Sequence, residues 1–91
     1  MFESYVLEAE HAIGLDYEKP YLKHKKLFYK PFRNHFAASV NNKIWNNLVE
    51  IGYAKRSKPY EKNTCFYWLT RKGMKWLGRI LGIKIAYIKM K

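Results

Sequence analysis

Between Thr64 and Leu81 the chain changes its hydrophobic period once, and that switch constrains the fold more than any other feature. Over "TCFYWL" (Thr64–Leu69), Cys65, Tyr67 and Leu69 alternate onto one face of a strand; beyond Thr70, Met74, Leu77, Ile80 and Leu81 recur at helical spacing. Threonine is an N-cap residue, because its hydroxyl accepts a first-turn backbone N–H that no helical carbonyl can reach. Thr70 therefore ends a strand and starts a helix over 70–81. Gly73 lies in the first turn, at a cost of about 1 kcal/mol of helix propensity relative to Ala. Its missing side chain lets that turn pack closely on the neighbouring strand. Upstream, Tyr53–Lys58 reads as the partner strand, joined to Thr64–Leu69 through Pro59, Tyr60, Glu61, Lys62 and Asn63, which is turn chemistry.

The same reading extends to the rest of the chain. Residues 2–14 form a helix whose stripe is Phe2, Tyr5, Val6, Ala9, Ala12 and Ile13, with Glu3, Glu8 and Glu10 outside it and Gly14 as its stop. From Asp16 to Phe36 no helical period survives. Pro20 and Pro31 punctuate this segment, and Tyr17, Tyr21, Phe28, Tyr29, Phe32 and Phe36 interleave with lysines and Arg33. A structureless run of this length is uncommon in a small domain; it is expected to wrap the core through its aromatics, with a short strand at Lys26–Lys30. A second helix runs from Asn41 or Asn42 to Ile51, capped by Ser39 or Asn41 and stopped by Gly52. Ile44, Leu48 and Ile51 face inward; Asn42, Lys43, Asn46, Asn47 and Glu50 face out. After Gly82, alternation of Ile83, Ile85 and Tyr87 suits an edge strand or an extended tail.

Charge narrows the partner. Of the net +11, residues 1–18 contribute −5 with no Lys or Arg, so residues 19–91 carry +16, with only Glu50 and Glu61 against 18 basic residues. Self-repulsion of this size opposes compaction, and it points to nucleic acid, an acidic protein or an anionic membrane surface. At 91 residues and 18% aromatic the chain is a single globular domain. A lone Cys65 permits no internal disulfide, the N-terminus carries no signal-peptide pattern, and no apolar run approaches the ~20 residues of a membrane span. The expectation is a soluble protein of the reducing cytoplasm.

Three groups can meet an anion. Lys23, Lys25, Lys26 and Arg33, among the aromatics of 17–36, either neutralise phosphates beside stacked bases or form the solvated rim of a core built from those rings. Lys55, Arg56, Lys58 and Lys62 surround the hairpin tip and either touch phosphates or are an ordinary charged turn. Asn42, Lys43 and Asn46 share one helix face, where Asn can match the adenine edge bidentately or simply be solvated. His11, His24, His35 and Cys65 lack metal-ligand spacing; there is no glycine-rich phosphate loop and no carboxylate pair in the basic region. No metal, cofactor or enzymatic activity is expected.

Helix, basic-tipped hairpin and Leu-Thr-x-Lys-Gly junction into a further helix, carried by "IWNNLVEIGYAKRS" (Ile44–Ser57) and "LTRKG" (Leu69–Gly73), resemble the winged helix-turn-helix proteins. The resemblance covers about residues 41–81 and implies an α+β domain over 1–91, three helices plus a β-hairpin wing, of a kind that serves DNA binding or protein interaction. "HAIGLDYEKPY" (His11–Tyr21) and "KLFYKPFRNHF" (Lys26–Phe36) are similar to small uncharacterised proteins of bacteriophages of Gram-positive bacteria. Together these imply a non-catalytic, phosphate-directed binder of duplex DNA in a bacterial host cell. The alternative is a protein-interaction module whose acidic first helix and basic body meet different partners, or a homodimer whose surface is marked by Phe66, Trp68 and Trp76 as exposed aromatics, with no nucleic-acid role.

Overall fold

The computed structural model describes residues 2–15 and 17–89, and of Phe2 the backbone only, so Asp16 and the Phe2 side chain of the expected first stripe lie outside the described residues. It is an α+β fold with the order α1 (Phe2–Ala12), β1 (Tyr21–Lys23), β2 (Lys26–Tyr29), β3 (Phe36–Ser39), α2 (Lys43–Glu50), β4 (Ala54–Arg56), β5 (Thr64–Leu69), α3 (Arg71–Leu81) and β6 (Lys84–Ile85). The strands form two three-stranded sheets, β1-β2-β6 and β3-β5-β4.

Helix ends follow the glycines and caps. α1 stops two residues earlier than its periodicity predicts, because Gly14 (φ 84) closes a Schellman arrangement: Gly14 N–H donates to His11 O and Leu15 N–H to Glu10 O, at 3.2 and 2.9 Å. α2 ends the same way at Gly52 (φ 86), with Gly52 N–H on Val49 O and Tyr53 N–H on Leu48 O. Its start differs from expectation. Asn42, and neither Ser39 nor Asn41, is the cap, its Oδ1 accepting Trp45 N–H at 2.9 Å. Thr70 caps α3 as its sequence predicts, its hydroxyl accepting Gly73 N–H at 3.1 Å and donating to Gly52 O at 2.8 Å.

The hairpin of β4 and β5 pairs Ala54 with Leu69 and Arg56 with Tyr67. On the other side of β5 stands β3, a strand absent from the periodicity; Phe36, Ala37, Ala38 and Ser39 are too few to show alternation, and β5 supplies their ladder. Residues 17–36 are also more ordered than expected. The strand at Lys26–Tyr29 is present, but Tyr21–Lys23 pairs with it through a two-residue turn in which His24 and Lys25 have φ 51 and 64. Such a turn ordinarily carries Asn-Gly, so nothing in "KHKK" announces it. The strand expected beyond Gly82 is β6, parallel to β2.

The core lies where α1, α2 and α3 cover one face of β5: Ala9, Ala12, Ile13, Trp45, Leu48, Cys65, Tyr67, Leu69, Met74 and Leu77 are buried. Trp45 stacks between Phe36 and Tyr67, at 5.8 and 5.5 Å between centroids. The aromatics named for a dimer surface are half-buried instead. Phe66 stacks on Tyr60 at 4.6 Å with the His35 ring edge-on at 5.8 Å, and Trp76 stacks on Tyr53 at 5.0 Å.

Two predictions follow from the packing of β5 into α3. A Cβ on Gly73 would overlap the Tyr53 carbonyl oxygen, which itself accepts Thr70 N–H at 3.1 Å, so α3 must move off β4 to make room. Gly73→Ala should lower stability by about 2 kcal/mol even after the helix-propensity gain, a fall of roughly 8–16 °C in the midpoint of thermal unfolding followed by circular dichroism; an unchanged midpoint would contradict this packing. Asn34→Leu removes a fully buried amide that pairs with both Leu69 N–H and Leu69 C=O at 2.9 Å. Two backbone groups lose their partners at about 1–3 kcal/mol each, and denaturant titration should find the variant largely unfolded.

Candidate nucleic-acid interface

The structure divides the residues named from the sequence into tied and free. Asn42 spends its side chain on the α2 cap. Asn46 is internal: its Nδ2 donates to Val40 O at 2.8 Å, and its Oδ1 accepts from Arg56 Nη1 and from the Tyr67 hydroxyl, both at 3.1 Å. Arg56 also donates to Val40 O at 3.0 Å, which makes it a link between β4, α2 and the end of β3. Burial pushes the Tyr67 phenol upward, so it remains a donor at neutral pH. Arg33 donates from Nε and Nη2 to His11 O, at 3.2 and 2.6 Å, closing the C-terminus of α1, and its guanidinium lies 5.1 Å from the Tyr17 ring centroid. Lys23, Lys25, Lys26, Lys43, Lys55, Lys58 and Lys62 are exposed.

A further gathering of exposed cations involves a helix that contributed none of the residues named from the sequence, although Arg71 lies over the Tyr87 ring and Lys72 Nζ donates to Ile51 O at 3.4 Å. Along α3, Gly73, Met74, Leu77 and Gly78 are buried while Arg71, Lys72, Lys75 and Arg79 are exposed, and the helix contains no Asp or Glu. Positions 71, 75 and 79 follow one another at i, i+4 along the surface. This row borders an open groove whose other wall is the β1–β2 turn and the start of β6. Lys25, Lys26, Lys75, Arg79 and Lys84 line it, with Leu27, Ile83 and Ile85 below, and its lining holds no carboxylate. Five exposed cations around one open depression concentrate positive potential there, which attracts anions.

Local geometry holds the groove in shape. Ile83 N–H donates to Gly78 O at 3.0 Å, and Gly82 (φ 70) takes the left-handed turn that sends the chain from α3 directly into β6. Ala86 N–H donates to Tyr29 O at 2.9 Å, joining β6 to β2 beyond their paired residues. On the opposite wall, left-handed backbone at His24 and Lys25 costs about 1 kcal/mol or more per residue for an L side chain. A strained turn that presents lysines to a cationic groove is the kind of local cost associated with binding sites. The signal in the sequence was the spacing Arg71, Lys75, Arg79 on the face opposite Met74 and Leu77; the β1–β2 wall had no comparable signal.

The basic hairpin tip and this groove share no element besides the β5–α3 junction, since Thr70 stands at the end of β5 away from residues 57–63. Among the described residues no group of three or more His, Cys, Asp or Glu could hold a metal ion, and no helix is long and apolar enough to cross a membrane. Comparison of the chain with protein-family models, with curated proteins and with solved structures finds no match in any of the three.

Proposed function

We propose that the protein binds nucleic acid without catalysis, mainly through backbone phosphates, in a bacterial host cell. The observation that carries this reading is the α3 row with its groove: Lys25, Lys26, Lys75, Arg79 and Lys84 converge on one surface lined by no carboxylate. An acidic protein surface would need matched geometry, whereas a phosphate chain follows any continuous line of cations. Lys55, Lys58 and Lys62 at the hairpin tip form a second phosphate-contacting region.

A winged-helix-like scaffold is part of the proposal, and three features favour it. A third strand pairs with β5 opposite β4, the hairpin has a basic tip, and α1 and α2 pack on the same sheet. Only α2 lies between β3 and β4, where a helix-turn-helix pair needs two helices, and its Asn42 and Asn46 are engaged internally. Contact is therefore assigned to α3 and the wing, and not to α2 in a major groove.

Fluorescence anisotropy on random-sequence duplex should show binding at ~50 mM salt that falls steeply by ~200 mM, with a linear log–log dependence. No binding at the lower salt would refute the proposal. Lys75→Ala with Arg79→Ala should reduce the magnitude of that slope by about one to two units, close to 0.9 per lost phosphate contact, and weaken all sequences alike. Lys55→Ala with Lys58→Ala reports the wing in the same way. A slope unaltered in the first variant and reduced in the second would move the main contact to the wing.

A further inference from the structure

We infer that the β1–β2 ribbon enters the major groove of duplex DNA and meets thymine methyl groups with Leu22 and Leu27, an inference that rests on the phosphate reading for its affinity. Every residue from Tyr21 to Leu27 is exposed, so both faces of the ribbon stand in water. β1 is an edge strand, with β2 as its only strand partner among the described residues. A two-stranded ribbon by itself is marginally stable at best. This one is anchored at its base, where Tyr29 is buried, Phe28 and Tyr29 pair with Lys84 and Ile85, and the Tyr21 and Phe28 rings stack at 6.3 Å.

The ribbon carries two aliphatic side chains that folding leaves uncovered. Leu22 and Leu27 are cross-strand partners, so they stand side by side on one face, opposite to that of the Tyr21–Phe28 and Lys23–Lys26 pairs. They are 70% and 43% exposed and belong to no part of the buried core. One exposed leucine is ordinary; two in register on a strand pair that projects into water form an apolar face. Leu27 lines the cationic groove together with Lys75 and Arg79, so this face is turned toward the α3 row.

The surroundings of the face select its partner. From Tyr21 to Lys30 the chain holds Lys23, Lys25, Lys26 and Lys30 and no Asp or Glu. A second copy would bring the same lysines together, and lysine on an edge strand opposes such pairing. DNA supplies the opposite charge. Its major groove admits a two-stranded β-ribbon, and the apolar group presented there is the 5-methyl of thymine. The two leucines lie on the flat of the ribbon, while His24 and Lys25 occupy its apex. They therefore meet base-pair edges and do not wedge between base steps. A backbone that follows Lys75 and Arg79 brings the adjoining groove against this face, with Lys25 and Lys26 on its phosphates. The lysines position the ribbon, and the leucines give a preference for A·T pairs.

The test compares short duplexes of equal length by fluorescence anisotropy: alternating A·T, the same sequence with uracil for thymine, and G·C with either cytosine or 5-methylcytosine. Uracil removes the methyl and 5-methylcytosine places one at the same groove edge, and neither alters the backbone charge. Burial of one methyl is worth about 4-fold in affinity and of two about 15-fold. Thymine should therefore exceed uracil by about 4- to 15-fold, and 5-methylcytosine should exceed cytosine. Leu22→Ser with Leu27→Ser should bind the thymine and uracil duplexes equally, with the salt slope unchanged. Nuclear Overhauser contacts between the leucine methyls and thymine methyls in the wild-type complex supply a readout that needs no variant. Equal binding of thymine and uracil duplexes, or a thymine preference that survives the double substitution, overturns the inference and leaves phosphate binding intact. Leucine methyl signals that shift with phosphatidylserine vesicles and not with the thymine duplex assign the face to a membrane and overturn it as well. If no duplex binds at ~50 mM salt, the phosphate reading itself fails and this inference falls with it.

Discussion

A single buried amide sets how the two halves of this fold meet. Asn34 gives Leu69 what a paired strand would give it, accepting Leu69 N–H on Oδ1 and donating Nδ2 to Leu69 O, and the same Nδ2 reaches Ile88 O at 3.0 Å. Leu69 is the last residue of β5 and Thr70 the cap of α3, so the bond pins the strand at the point where the chain turns into a strongly amphipathic helix. Without it, the end of β5 would leave two buried backbone groups without these partners, a cost of about 1–3 kcal/mol each. The neighbours of Asn34 act alike. Tyr29 donates its hydroxyl to Ile13 O at 2.7 Å, Arg33 donates to His11 O, and His35 N–H donates to Ala12 O at 3.1 Å. A segment with no hydrophobic period thus owes its position to side-chain and backbone bonds that terminate α1 on one side and β5 on the other.

That division explains what was legible in the sequence. The three helices, the β4–β5 hairpin and the Thr70 junction announce themselves through their periods: Cys65, Tyr67 and Leu69 are buried, and Met74 and Leu77 continue the same core from a helix, whereas α2 buries Trp45 beside Leu48 and leaves Ile51, expected to face inward, exposed like Ile80 of the α3 stripe. Glycine stops were readable at Gly14 and Gly52 because only the left-handed conformation closes a Schellman turn. β3 and β1 were not readable. β3 has four residues, two of them alanine, and exists because β5 needs a partner on its second edge; β1 is held by a turn whose residues favour other conformations. Among the site residues, exposed lysines on loops were found by charge alone. Asn46 and Arg56 carry the side-chain types of a reader and a phosphate contact, yet both complete a hydrogen-bond network with Val40 and Tyr67 that only the tertiary structure brings together.

The charge imbalance has a structural counterpart in α3. Glycines at 73 and 78 let the helix lie close to its neighbours: a Cβ at 73 would strike Tyr53 O, and one at 78 would approach Ile83 O to 2.8 Å. Close seating hides a narrow face completely and leaves a wide one in water, room enough for four cations on an 11-residue helix. The buried face contributes to stability through area removed from water; the exposed face contributes none and opposes it by repulsion. Residues that fold the helix and residues that bind from it are therefore separable, and changes to Lys75 or Arg79 act on affinity without touching the core.

The same separation links binding to stability. Repulsion among Lys25, Lys26, Lys75, Arg79 and Lys84 is a property of the folded chain, because unfolding removes the turn, helix and strand that bring them together. A polyanion that neutralises them binds the native state better than the unfolded one and raises stability in proportion to the logarithm of its concentration over its dissociation constant. Stabilisation of this kind follows from mass action on the native state and requires no conformational change.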